Sequence, residues 1–212
     1  MKEIVAEYDP HYASMGLDEV NLDVTDYLVE NDLDNDEGRQ ELAHSIRMRI
    51  NEATKLTCSA GIGANRMLAK IGSDINKPNG QFYLKPDREE ILKFIGEMGI
   101  RKIPYIGGMK ETTLGAMGFK FGKDLRDRAC DLMITFLEHE HTFLIRCGLG
   151  LGQTRHGENG SLESFEQKGI SISETFRPRR TYEQFKEKIS ELSKELASRM
   201  QKENLCGNVV TL

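Results

Sequence analysis

Two neighbouring carboxylates, Asp18 and Glu19, stand in the run Met15-Gly16-Leu17-Asp18-Glu19-Val20-Asn21-Leu22-Asp23-Val24, where a glycine among apolar residues marks a bend between two short strands. Successive side chains of a regular strand point to opposite faces, so the pair can share one ligand only where the backbone turns. An all-oxygen pair suits a hard divalent cation such as Mg2+, which keeps several waters and takes one or two protein carboxylates together with substrate phosphates. Phosphate chemistry is the first expectation. A solvated hairpin turn is the competing one, because acidic residues are ordinary turn chemistry.

Three basic or glycine-containing segments bear on that choice. Lys77, in Lys77-Pro78-Asn79-Gly80, places a point charge on a rigid turn where it can meet a triphosphate. At the end of a helix it can equally serve the helix dipole. The run Ile100-Arg101-Lys102-Ile103-Pro104-Tyr105-Ile106-Gly107-Gly108-Met109 joins two short helices through a glycine turn, as a helix-hairpin-helix does. Backbone N–H groups at such a turn hold DNA phosphates without reading sequence. Tyr105 stands where that motif has its first glycine, and an ordinary helix-helix turn is the alternative. Finally, Arg177-Pro178-Arg179-Arg180 follows a hydroxyl-bearing strand at 171–176 and offers guanidiniums to a DNA backbone, or is a solvated basic turn.

The elements that must position these residues read as follows. Residues 4–8 and 17–24 form short strands of a hairpin or sheet edge, and Leu42, Ile46, Ile50 and Ala53 recur at helical spacing over 36–55. A strand at 57–62 precedes a helix at 64–75, which Pro78 stops. Asp87 and Glu90 cap a helix carrying Ile91, Leu92, Ile95 and Met98, and short helices follow to about 151, with Gly118 as a C-cap. The polar run 157–164 is a linker. Beyond it come a strand at 170–175, a helix capped by Thr181 and Gln184, and a strand beginning at 208. The fold class is α+β.

A chain of 212 residues can bury a real core as one large or two small domains. No apolar run is long enough to cross a bilayer and no signal peptide opens the chain, so an intracellular protein without membrane partners is expected. Cys58, Cys130, Cys147 and Cys206 lack metal or disulfide spacing and read as buried thiols. The net charge of −5 conceals a division: −10 over residues 1–54, +6 over 55–128 and −1 beyond. An acidic segment with a candidate metal pair followed by a basic one suits a protein that handles a polyanion.

The ordered set Leu17-Asp18-Glu19, Ser59-Ala60-Gly61-Ile62-Gly63, Met67-Leu68-Ala69-Lys70, Lys77-Pro78-Asn79-Gly80-Gln81, Ile100-Arg101-Lys102, Leu149-Gly150-Leu151-Gly152 and Glu174-Thr175-Phe176 resembles the Y-family DNA polymerases over nearly the whole chain. The resemblance implies a partial palm of mixed sheet and helices at 1–84, a small helical thumb with the helix-hairpin-helix at 85–155, a linker at 156–168, and the first half of a little finger, a β-α-β unit, at 169–212. It implies translesion synthesis in DNA repair and damage tolerance, by metal-dependent nucleotidyl transfer to a primer 3′ end.

On that reading Asp18 and Glu19 are the catalytic metal ligands for two Mg2+ ions, and Lys77 binds the incoming deoxynucleoside triphosphate. Lys70 is a secondary candidate. Ile106, Gly107 and Gly108 grip the primer-side backbone of primer-template DNA, and Arg177, Arg179 and Arg180 contact the template. A sliding clamp and other translesion factors are implied partners, and the location is nuclear in a eukaryote and cytoplasmic otherwise. No counterpart of the family's first palm aspartate or of its fingers precedes Asp18, and Gly16 replaces the usual serine. A partial chain is therefore expected, and a non-catalytic DNA-binding fragment is the alternative function.

Overall fold

The computed structural model describes residues 1–16, 18–154 and 169–212. It divides into two units, Met1–Glu158 and Asn159–Leu212. The linker expected at 156–168 lies outside the described residues.

The first unit begins with helix α1, Lys2–Ala6, where a strand was expected at 4–8. Val5 and Tyr8, three positions apart, enter one apolar cluster, a spacing that a helical turn satisfies and a strand does not. That cluster also takes Leu28 from α2 (Thr25–Glu30) and Leu42, Ile46 and Ile50 from α3 (Asp36–Thr54). The hairpin expected from strands at 4–8 and 17–24 is replaced by one between β1, Ala13–Met15, and β2, Glu19–Asn21, which pair antiparallel with Met15 opposite Glu19. Gly16 turns the chain at φ +75°, a conformation that a serine would enter only with strain, which accounts for the glycine there.

A second, parallel ladder joins β3, Ala60–Ile62, to β4, Gln81–Tyr83, through α4, Arg66–Ile75. The mixed sheet expected in this region is thus two separate two-stranded ladders among the described residues. α4 lies directly on β3: a Cβ on Gly61 would fall 1.9 Å from the Ala69 carbonyl oxygen. Asn65 caps α4 by accepting from the Leu68 N–H at 3.1 Å, and its Nδ2 donates to the Gly150 carbonyl at 2.8 Å.

Asp87 starts α5 (Arg88–Glu97) by accepting from the N–H groups of Glu89 and Glu90. A 3-10 turn at Ile100–Lys102 and helices α6 (Gly108–Ala116), α7 (Gly122–Asp127), α8 (Ala129–Thr135) and α9 (Glu138–Gly148) follow, with Gly118 at φ +84° after α6. Their buried residues, including Ile95, Leu114, Leu125 and Leu144, form one cluster with Met67, Leu68 and Ile71 of α4. Each such side chain stabilises the fold by roughly 1.5–3 kcal/mol when fully buried. No helix among the described residues is long and apolar enough to cross a membrane.

The second unit contains α10, Tyr182–Lys202, opened by the capping box of Thr181 and Gln184 that the sequence predicts. The β-α-β unit expected there is not formed: residues 169–180 and 208–212 carry no strand. A strand needs a partner for its backbone groups, and among the described residues of this unit none is provided. The cysteines also differ from expectation, since only Cys147 is buried while Cys130 and Cys206 are exposed.

Candidate metal and phosphate site

Asp18 is exposed just before β2, and Glu19, the first residue of β2, is half-buried. Glu19 accepts a hydrogen bond from the Lys70 ammonium, so α4 and the hairpin are tied together at the acidic pair. Lys77 forms an ion pair with Asp74 at 2.6 Å, both side chains half exposed. The Asp74 hydrogen bond raises the Lys77 pKa most, and the negative charges of Glu19 and Asp18 raise it further. Asp74 in turn is held below the usual carboxylate range by its bond to Lys77, with Lys70 and Lys102 adding to the effect. Asp18, Glu19 and Asp74 therefore share one field with Lys70, Lys77 and Lys102.

The turn that carries Lys77 is fixed from below by Arg47 of α3, whose side chain is buried. Its guanidinium donates to the Cys58 carbonyl at 2.9 Å, to Gln81 Oε1 at 3.1 Å, and to the carbonyl and Oδ1 of Asn79 at 2.6 and 2.8 Å. The planar fork suits this spread of acceptors, which a lysine cannot span.

Oxygen donors of the Asp18 and Glu19 type fit a hard divalent ion that completes its shell with water and phosphate oxygens. Among the described residues no third His, Cys, Asp or Glu joins them in a cluster able to hold a metal. Lys70 is the cation that Glu19 holds.

At the hairpin turn, the Ile106 side chain is buried in the core, so only its backbone faces outward chemistry; its carbonyl accepts from Arg101 at 2.9 Å. Gly107 and Gly108 have open space where a Cβ would stand, which leaves the N-terminus of α6 approachable by a phosphate. Tyr105 adopts φ +69°, the left-handed conformation that a glycine at this point of the motif supplies. In the second unit Arg177, Arg179 and Arg180 are exposed and make no ion pair among the described residues.

A cleft of about 470 Å³ opens beside Glu19 and Lys70, and Arg66, Tyr105, Phe143 and Arg146 also line it. The sequence reading missed this cleft and ranked Lys70 second. The available signal was the spacing of Arg66, Lys70 and Lys77, which places the first two one helical turn apart on one face.

The chain has a hairpin-borne Asp-Glu pair, a lysine turn between α4 and β4 and a glycine turn before α6, and it belongs to the Y family of DNA polymerases. Residues 1–74 match the impB/mucB/samB family and residues 167–212 match the C-terminal domain of that family. The chain is similar to DNA polymerase kappa of Arabidopsis thaliana, at 36% identity over 212 residues covering 100% of this chain and 30% of the relative. Similarity to DNA polymerase kappa of Homo sapiens is 30% over 283 residues, covering 100% and 32%. DNA polymerase IV of Pseudoalteromonas translucida is 32% identical over 213 residues, covering 99% and 56%. Among solved structures, an insertion ternary complex of Dbh DNA polymerase matches with a TM-score of 0.63 and 27% identity over 72% of this chain and 43% of that one. DinB from Sulfolobus solfataricus matches at 0.61 and 27%, covering 72% and 44%. The chain thus spans about a third of the kappa relatives and little more than half of the bacterial one.

Proposed function

We propose that this chain carries the carboxylate pair of a metal-dependent nucleotidyl-transfer site for translesion DNA synthesis, acting on primer-template DNA and an incoming deoxynucleoside triphosphate. The observation that carries this reading is the convergence of Asp18, Glu19, Lys70 and Lys77, from two distant stretches of chain, on one charged patch. Two Mg2+ ions, when bound, supply Lewis-acid activation of the primer 3′ hydroxyl and charge neutralisation of the triphosphate. Asp18 and Glu19 offer their oxygens to such ions, while Lys77 offers a half-exposed ammonium to the triphosphate. Gly107 and Gly108 admit the primer backbone to the first turn of α6, and Arg177, Arg179 and Arg180 provide exposed guanidiniums for the template strand. The work belongs in the nucleus of a eukaryote or the cytoplasm of a bacterium.

That no third carboxylate joins Asp18 and Glu19 in a metal-holding cluster among the described residues, while Glu19 is already engaged by Lys70, favours a second reading: binding of duplex DNA without catalysis. Single-nucleotide primer extension with Mg2+ by the 212-residue chain, beside Asp18→Ala, separates the two. Incorporation that disappears in Asp18→Ala supports transfer chemistry. Folded protein that incorporates nothing, yet binds duplex in a salt-sensitive manner untouched by Asp18→Ala, overturns it in favour of the second reading.

A further inference from the structure

We propose that the cleft beside Glu19 is a docking site for a single unpaired nucleotide, with its base against Tyr105 and Phe143 and its phosphate on Arg146, and that the occupant is the frayed 3′-terminal nucleotide of a mispaired primer. The choice of occupant rests on the proposed function; the nucleotide site itself rests on the cleft.

The volume of about 470 Å³ falls in the range of single small-ligand pockets. Its chemistry is aromatic and cationic. Tyr105 is 72% exposed, and its ring meets the Phe143 ring edge-on at 6.3 Å. Tyr105 holds a φ of +69°, a conformation that an L-residue with a Cβ enters only with strain. The turn sets this φ, and a large ring left 72% exposed at a cleft contributes little to the core and is open to a ligand. Arg146 lies one helical turn beyond Phe143 on α9, exposed and without an ion pair among the described residues. Arg66 and Lys70 also line the cleft, with Lys70 held by the Glu19 carboxylate.

Bases out of the stack are held in this way, on aromatic faces and guanidinium planes, with phosphates on nearby cations. A base inside a duplex has both faces covered by its neighbours, so the cleft selects an unpaired one. The Glu19 wall connects the cleft to the end of the primer, because that carboxylate is one of the pair proposed to bind metal at the 3′ hydroxyl.

The test is photochemical cross-linking of the full chain with three probes: a primer-template ending in a mispaired 3′ 5-iododeoxyuridine, the same duplex with that terminus paired, and free 5-iododeoxyuridine monophosphate. The expected result is cross-linking of the mispaired end to Tyr105 or Phe143, in excess over the paired end. Tyr105→Ala is expected to weaken binding of the mispaired end by about five- to a hundred-and-fifty-fold, the range for one stacked base, with Tyr105→Phe retaining it. Arg146→Gln, on an exposed surface position, is expected to weaken it independently of any folding defect at Tyr105.

Cross-links outside the cleft, equal labelling of paired and mispaired ends, or wild-type binding by both Tyr105→Ala and Arg146→Gln would overturn the proposal. Labelling by the free monophosphate alone upholds the nucleotide site and overturns the primer-end occupant. None of these readouts requires incorporation, so a chain that fails in primer extension leaves the cleft proposal to be decided on its own data.

Discussion

Replacing Arg47 by methionine removes the donor fork that fixes the Lys77 turn while keeping an apolar stem of similar length. Four hydrogen bonds disappear, to the Cys58 carbonyl, Gln81 and two Asn79 oxygens. Bonds to a charged group stabilise by roughly 1.5–3 kcal/mol each, but Asn79 is exposed and water can take over its oxygens. Counting only the less accessible Cys58 and Gln81 contacts, at the low end of that range, gives a loss of about 3 kcal/mol. For a unit of this size that corresponds to a Tm about 6–12 °C lower. Arg47→Lys should recover less than half, since one ammonium cannot reach acceptors on three residues.

Urea unfolding followed by circular dichroism measures the global loss, and amide hydrogen exchange over 77–83 reports the local loosening expected around Lys77. A loss below about 1 kcal/mol in Arg47→Met, or full recovery in Arg47→Lys, would refute the reasoning that the fork holds the turn.

Other perturbations have equally definite outcomes. Gly61→Ala drives a Cβ to 1.9 Å from the Ala69 carbonyl, so denaturant unfolding should show a loss of about 3 kcal/mol or more. Asn65→Ala removes both the cap on Leu68 and the bond to the buried Gly150 carbonyl, and the same measurement should show about 2–4 kcal/mol. The Asp36 pKa is held down chiefly by the Tyr83 hydroxyl and then by Lys85, so its stabilisation is present above the unfolded carboxyl pKa and lost as pH falls through the lower folded value. Asp36→Asn should accordingly flatten the acid limb of the stability profile, from the ordinary carboxyl range downward, without steepening the neutral region. Burial pushes the Cys147 thiol up to about 12, so a maleimide should label exposed Cys130 and Cys206 in the native chain and reach Cys147 only on unfolding.

The elements with both a cap and a long apolar period were legible from the residues alone. Leu42, Ile46 and Ile50 mark α3, and the Thr181–Gln184 box opens α10 where the sequence places it. The adjacency of Asp18 and Glu19 at a hairpin was legible too. Short segments were less so: Ile4 and Val5 are β-branched and suggest a strand, whereas the three-residue step from Val5 to Tyr8 into a shared cluster makes α1 a helix. β4 has only Gln81, Phe82 and Tyr83, too few for any period, and exists because β3 is there to pair with it. Conversely, the alternating residues at 170–175 lack such a partner and remain without a ladder. The Glu19–Lys70 bond and the cleft unite residues from 19 to 146, and no local pattern links positions so far apart.

The bond between Glu19 and Lys70 has a consequence for the order in which charge is loaded. A divalent ion approaching Glu19 meets a carboxylate already neutralised by an internal ammonium, and must compete with it. Metal entry and liberation of the Lys70 side chain would then be one linked equilibrium, with the metal's binding free energy reduced by that of the bond it replaces. The released ammonium would be free to turn toward an anionic substrate, while the net charge of the site would rise by the ion's own two units.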